Sequence, residues 1–354
     1  MRVRASLTSM ALLSALALTA CSSTGPVGAP SDGSDRPTDA EGSRQAPGGR
    51  EAACEAAKDE GPLDWWTQDP ATSERVISMF HEAYPDIEVT FTQLLENDIA
   101  QRLVAESTGH QGITADLVVG HTAAFQPLVE RGLVDTSIEW PEQIDPATVS
   151  PTNMVRISRR VNGVVYNTDQ YSPTDLPDTW EDLVDPRWRG KVSVHTTGIP
   201  FDVLAVAWGE EKTLDWARQL SDVVHPEPIN GTTASIQAAA SGEVPLALSG
   251  RDSEVKEQQA EGAPVDIKYL TPVPTFDFYQ MIPTGAKDVN AAVCFATWYV
   301  SDARDEVLAL SFASNDDVPP GLPADAEIVS VTPDDVDTLA TVAPEVSEIW
   351  VNGS

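Results

Sequence analysis

Cations are scarce in this chain. Lys and Arg together number 22 in 354 residues against 55 Asp and Glu, a formal charge of −33, and only 6 of the cations are lysines. Past Arg2 and Arg4 no basic block occurs. The clustered charge that neutralises phosphates is missing, so no nucleic acid is expected as a partner. After residue 20 no stretch reaches the roughly 18 apolar residues that a spanning helix requires. Catalytic signatures are missing too. Gly190-Lys191 has Asp185 where a phosphate-cradling loop needs glycine and runs on into Val192. There is no Gly-x-Ser-x-Gly elbow, His-Glu-x-x-His, Cys-x-x-Cys or dinucleotide glycine fingerprint. The histidines, His81, His110, His121, His195 and His225, are dispersed. A non-enzyme with no cofactor and no resident metal is the expectation. Two alternatives stay open: a secreted hydrolase, because so many carboxylates always bring some pair together in a fold, and a lipoprotein that only engages other proteins.

What is present is enough apolar residue, 41% of the chain, for two or three domains with sizeable cores. Arg2 and Arg4 precede an apolar run from Met10 to Leu18 broken only by Ser14, and Leu18-Thr19-Ala20-Cys21 follows. This reads as a signal peptide over 1–20, too short to span as a helix. The tetrapeptide resembles a bacterial lipobox, which implies acylation of Cys21 and attachment to the membrane through lipid chains alone, on its outer face or in the periplasm. Residues 21–59 hold mostly Ser, Gly, Pro, Asp and Ala and read as the lipidated cysteine followed by a disordered tether. Cys54 and Cys294 then remain as an even pair in an oxidising compartment, either disulfide-bonded or as two separate thiols.

From residue 61 short apolar runs alternate with amphipathic stretches. Strands are expected at 62–67, 87–94 and 115–119, with helices at 73–83, from a cap at Asn97 or Asp98 to 106, and from Thr122. Such alternation means βαβ units and a parallel sheet. Val155 to Tyr166 is one extended run too long for an ordinary strand, and Phe276 to Ile282 is a second. They predict two crossovers between lobes: residues 60–160 plus 273–354 in lobe 1, and 161–272 in lobe 2. Within lobe 2, strands are expected at 191–195, 244–248 and 265–269 and helices at 200–208, 211–220, 232–240 and 251–261; Asp288 to Ser301 should pack on lobe 1.

The segments Asn97-Asp98-Ile99-Ala100-Gln101-Arg102-Leu103, Ala115-Asp116-Leu117-Val118-Val119-Gly120 and Val165-Tyr166-Asn167-Thr168 carry a family resemblance. Pro177-Asp178-Thr179-Trp180, Asp185-Pro186-Arg187-Trp188-Arg189-Gly190-Lys191, Ser241-Gly242-Glu243-Val244-Pro245 and Gly262-Ala263-Pro264-Val265 continue it in order over roughly 62–310. They resemble the iron-type bacterial extracellular solute-binding proteins of ABC importers. The resemblance implies an α/β, two-lobed periplasmic-binding-protein-like fold (type II), a small solute or iron chelate held between the lobes, an ABC permease as partner, and a monomer. It also implies a gap. Where ferric-ion binders of that family carry two adjacent tyrosines, this chain reads Leu248-Ser249-Gly250-Arg251-Asp252.

Loops after strands are where ligands of open parallel sheets gather. Thr67 and Gln68, His121 and Thr122, Thr196, Thr197 and Gly198, and Asn230, Gly231 and Thr232 are therefore the candidate ligand contacts, with Asn97, Ser249 and Arg251 added. Their hydroxyls and helix N-termini suit oxyanions, although such residues are also ordinary helix caps. Arg251 either pairs with a solute carboxylate, phosphate or phosphonate or caps its helix against Glu254 or Asp252. One ring of Trp65-Trp66 is expected in the core and the other at the cleft.

Overall fold

The computed structural model describes residues 44–352 apart from 69, 110–111 and 323–324, so the expected signal peptide, Cys21 and most of the expected tether lie outside the described residues. The elements run α1 Gly49–Ala56, β1 Leu63–Thr67, α2 Pro70–Ala83, β2 Val89–Gln93, α3 Glu96–Thr108, β3 Leu117–His121, α4 Thr122–Glu130 and β4 Val155–Asn167. They continue β5 Val192–His195, α5 Leu204–Trp208, α6 Glu210–Val224, β6 Glu227–Ile229, α7 Thr232–Ser241, β7 Leu246–Arg251, α8 Asp252–Ala260 and β8 Val265–Lys268. The last are β9 Val273–Met281, α9 Val289–Val300, α10 Arg304–Leu310, β10 Ile328–Ser330 and α11 Val336–Asn352.

Strand order is β2-β1-β3-β9-β4-β7-β5-β6, with β10 on β9 and β8 on β4. The outer groups are parallel, β1 with β2 and β3, and β5 with β6 and β7. Pairings of β4 and β9 with β3, β7, β8 and each other are antiparallel. The expected parallel sheet is therefore mixed. The reason is β4: Val155 to Val161 pairs with β9, and Asn162 to Asn167 pairs with β7 and β8. One continuous strand thus belongs to two strand groups in turn, and β9 returns beside it. These are the two crossovers of a two-lobed fold. Gly163 sits at the switch, where a Cβ would come within 2.7 Å of the Lys268 carbonyl oxygen, so only glycine lets β8 approach.

Both faces of each strand group are covered, which explains the near-continuous apolar runs. Trp65 points into a core shared by α1, α2 and α9, while Trp66 on the opposite face packs with α3 and α4 residues. In the second lobe Trp180, Phe201, Trp216 and Leu248 form one core, and Val165, Ile236, Ala247 and Val255 the other.

Three expectations need correcting. The tether does not extend to residue 59: α1 lies against α9, Cys54 is disulfide-bonded to Cys294 with their Cα atoms 4.9 Å apart, and Asn290 donates to the Arg44 carbonyl and accepts from the Ala46 N–H. The packing face of α1 is built of alanine and cysteine, which is why composition alone reads as linker. The helix cap expected at Asn97 or Asp98 is not there, because Leu95 occupies the N-cap and both residues lie inside α3. Finally, the chain after 332 is not confined to lobe 1 as the 273–354 span implied, although 333–335 and α11 do lie against α4. Val342, Val346 and Trp350 of α11 enter the second lobe's core beside Phe201 and Trp216.

Candidate functional site

Three strand ends converge between the lobes. His121 closes β3 and caps α4, its Nδ1 accepting the Ala124 N–H at 3.4 Å, while Phe276 and Phe278 of β9 present their rings to it at 6.4 and 6.0 Å. Thr122 is buried at the start of α4. Arg251 closes β7 in the second lobe and pairs with Glu254 at 3.1 Å. His195 closes β5, and its Nδ1 meets the Thr197 hydroxyl at 2.8 Å.

Electrostatics tie these groups together. Burial lowers the pKa of His121 and the charge of Arg251 lowers it further, against an opposing pull from Glu96. His195 is lowered by burial and then by Arg251. The same arginine, after burial, depresses Arg160 on β4. Arg251 is thus the common neighbour of His121, Arg160 and His195, and both imidazoles are biased toward their neutral form. The hydroxyl of Ser249, a residue 2% exposed two positions before Arg251, has no hydrogen-bond partner.

The other candidates divide. Thr67 and Gln68 line a small cavity of about 60 Å³ with Trp65, Arg160, Phe278 and Tyr299. Thr196 donates to the Asn230 side chain at 3.4 Å, and its carbonyl accepts from Ser347 of α11 at 2.6 Å. Gly198, with φ +81°, backs onto α11, where a Cβ would collide with the Ala343 carbonyl, so its role is packing. Gly231 and Thr232 begin α7, and the Gly231 carbonyl is occupied by Ser235. Asn97 is exposed and lines a groove between α3 and α4. Neither tryptophan is available for stacking: Trp65 is 2% and Trp66 0% exposed, on opposite faces of β1.

Arg160, Phe276, Phe278, Ser253 and Glu254 were not among the expected contacts. The available signal was the pair Arg159-Arg160 inside an otherwise apolar extended run. Alternation sends the two to opposite faces: Arg159 makes a two-pronged bond to Asp277, both arms 2.7 Å, whereas Arg160 lies over Phe278, its guanidinium carbon 5.1 Å from the ring centre.

Among the described residues no group of three His, Cys, Asp or Glu side chains is placed to hold a metal ion. Burial first, then Asp266, pushes the Tyr166 phenol up to about 12, and burial raises Tyr279 to about 12 as well. The largest hollow described, about 960 Å³, lies away from the strand ends, between 44–51 and 135–143 at the start of the described chain. The strand-end cluster, with two guanidinium groups, hydroxyls and two largely neutral imidazoles, can hydrogen-bond an oxygen-rich or anionic molecule.

Comparison with known proteins agrees with this geometry. The family model for bacterial extracellular solute-binding proteins matches residues 75–310. Iron uptake protein A1 of Synechocystis sp. is 29% identical over 176 residues, 46% of this chain and 47% of that relative, so the match spans about half of the relative's length. Iron-bound HitA from Pseudomonas aeruginosa superposes with TM-score 0.67 at 17% identity, over 82% of this chain and 99% of HitA. AfuA from Actinobacillus pleuropneumoniae, with fructose-6-phosphate bound, gives 0.59 at 18% identity, over 82% and 97%.

Proposed function

The chain belongs to the bacterial extracellular solute-binding proteins, and on that premise we propose that it is the non-catalytic receptor of an ABC importer. It captures one small solute between its lobes and hands it to a permease. The observation that carries this reading is the double crossover: β4 and β9 alone lead the strand ladder from one parallel group to the other. The ends of β3, β5 and β7 therefore face a common cleft, and closing it by hinge motion needs changes in the crossover segments near 160–161 and 272–273 and where the chain passes from β10 into α11.

The solute in this proposal carries an oxyanion or is an anionic iron chelate, and it is held from the first lobe by His121 and Thr122 and from the second by Arg251, Ser249 and Thr197. Bare ferric ion fits poorly. No two tyrosines are adjacent in the chain, and the position expected for such a pair ends in a guanidinium that repels the metal. Support for an oxyanion also comes from AfuA, whose structure holds a sugar phosphate.

A lipid on Cys21 anchors the monomeric receptor to the outer face of the membrane in this reading. Native mass spectrometry of protein purified without refolding tests the receptor role, the expected result being a one-to-one complex with a small molecule. Turnover of an ester, glycoside or phosphoester panel would instead support a hydrolase. For the anchor, Cys21→Ser is expected to move the protein into the soluble fraction with an unchanged melting temperature. A variant that stays in the membrane pellet would overturn it.

A further inference from the structure

Arg160 is the cleft cation with a buried and unpartnered N–H. Nη1 donates to the Ser253 hydroxyl at 3.2 Å, while Nε is buried with no partner. Among the described residues no carboxylate comes within 4 Å of it. Of the two that face it, Asp252 is bonded to the Val161 N–H at 3.1 Å and to Lys256 at 3.5 Å, and Glu254 holds Arg251 through Oε1 at 3.1 Å while its Oε2 is buried without a hydrogen-bond partner. Its neighbour Arg159 shows what a structural arginine on this strand looks like, with Asp277 taking Nε and Nη2 and the Asp317 carbonyl taking Nη1 at 2.8 Å.

A half-buried guanidinium with an unused N–H, near a second guanidinium and with Glu254 and Asp252 nearby but not in contact, is unfavourable until lone pairs reach that N–H. Phe278 covers one of its faces, leaving the edge of the fork as the direction of approach. That edge matches the two oxygens of an acidic group. A chain of charge −33 does not draw an anion in from a distance, so recognition must come from local donors such as these.

Resting on the receptor reading of the cleft, we propose that Arg160 anchors the solute's acidic group and that the solute is a small organic oxyanion. Arg251 is the secondary cation, already shared with Glu254, and the rings of Phe276 and Phe278 border the remainder of the molecule. The oxyanion can be phosphoryl, carboxylate or the outer oxygens of a ferric chelate.

The test is calorimetry and thermal shift on wild type, Arg160→Met and Arg160→Lys. The probes are inorganic phosphate, glucose 6-phosphate, methylphosphonate, citrate, ferric citrate and glucose, together with any solute that native mass spectrometry finds on the purified protein. At least one oxyanion should bind the wild type, and the probe that does so identifies the source of the acidic group. Arg160→Met should weaken that ligand by about 10 to 150-fold, the loss of one charge-assisted hydrogen bond, and Arg160→Lys by less. Unliganded Arg160→Met should melt at or above the wild-type temperature, since the variant removes an unsatisfied cation; a lower melting point with unchanged affinity would make Arg160 structural. An oxyanion bound equally well by wild type and Arg160→Met, or binding confined to glucose or another neutral solute, would overturn the inference while leaving the receptor reading intact. Absence of binding by every probe would overturn both.

Discussion

Trp65 in the first lobe and Trp216 in the second are buried in similar aromatic clusters, but their cores are closed differently. Around Trp65, with Phe295 at 5.0 Å and Tyr299 at 6.1 Å, the covering helix α1 contributes only small buried side chains, Ala53 and Cys54, with Ala57 just beyond. Around Trp216, α11 brings Val342, Val346 and Trp350, the last only 5% exposed and edge-on to Phe201 at 4.6 Å. Apolar burial stabilises roughly in proportion to area. A helix of alanines therefore gains little from docking and here is bonded covalently to α9. A helix bearing Trp and Val holds by packing, with no covalent bond. Both covers come from the ends of the described chain, one stapled and one packed.

The largest effect expected from breaking this contrast is at Trp350. Trp350→Ala should cost about 3 to 5 kcal/mol by denaturant unfolding, as truncation of a buried aromatic does, and hydrogen exchange should show the loss in α6 and α11 first. A loss below about 1 kcal/mol would mean that α11 is a dispensable flap. In the first lobe, Cys54→Ala with Cys294→Ala should cost about 2 to 5 kcal/mol, a model-dependent figure for so long a loop. If reduction leaves the unfolding midpoint where it was, packing alone holds α1 and the contrast between the lobes disappears.

Asp202 adds a pH dependence specific to the second lobe. Burial raises its carboxyl to about 7, although the Val203 N–H and its own N–H oppose the shift. The folded state therefore keeps a proton that the unfolded chain releases near 3.8, so stability is highest below about pH 4 with respect to this group and declines as pH rises to about 7. The decline should be on the order of 4 kcal/mol, and Asp202→Asn should flatten it. An unchanged slope in the variant would assign the pH dependence to other groups.

Smaller effects sharpen the same comparison. Gly198→Ala puts a Cβ against the Ala343 carbonyl at a backbone angle of φ +81°, and should loosen the docking of α11 at a cost of about 1 to 3 kcal/mol. A wild-type melting temperature would show that α11 shifts freely over the β5 loop. Arg251→Ala should change stability by less than about 1 kcal/mol, because its pair with Glu254 is partly exposed. Its effect on oxyanion affinity should be smaller than that of Arg160→Met, and the reverse order would make Arg251 the principal cation of the cleft.

Much of this organisation was legible residue by residue. The alternation of apolar runs with amphipathic stretches located β1 to β3 and the helices between them to within a few residues, because period-2 and period-3.6 patterns survive wherever one face is buried. The extended run from Val155 to Tyr166 announced a crossover between lobes, which the structure forms as the thirteen-residue strand β4. Cysteine parity left a 54–294 bond open, and the structure forms it. Less legible were elements whose burial rests on small side chains: α1 reads as linker because alanine is as common in tethers as in tight helix contacts. Among the candidate contacts, the charge of Arg251 reaches His121, whereas Gly198 turned out to serve α11. Arg160 escaped notice because an arginine on a strand looks the same whether its fork is saturated, like that of Arg159, or left with an unused donor.

The sequence by itself determined the family, the succession of strands and helices and the absence of the tyrosine pair, since each is a local property of residue type and spacing. Only the tertiary structure decided which lobe the last helix completes, that the parallel groups are joined through antiparallel crossovers, and which arginine is left with an unpartnered donor. Those outcomes depend on which distant groups arrive within a few ångströms of one another: Ala343 at Gly198, Asp277 at Arg159 and, among the described residues, no hydrogen-bond partner at Arg160 Nε. Hydrogen bonding and desolvation act at contact range, so a chain's order specifies its elements well before it reveals which of their donors remain unused.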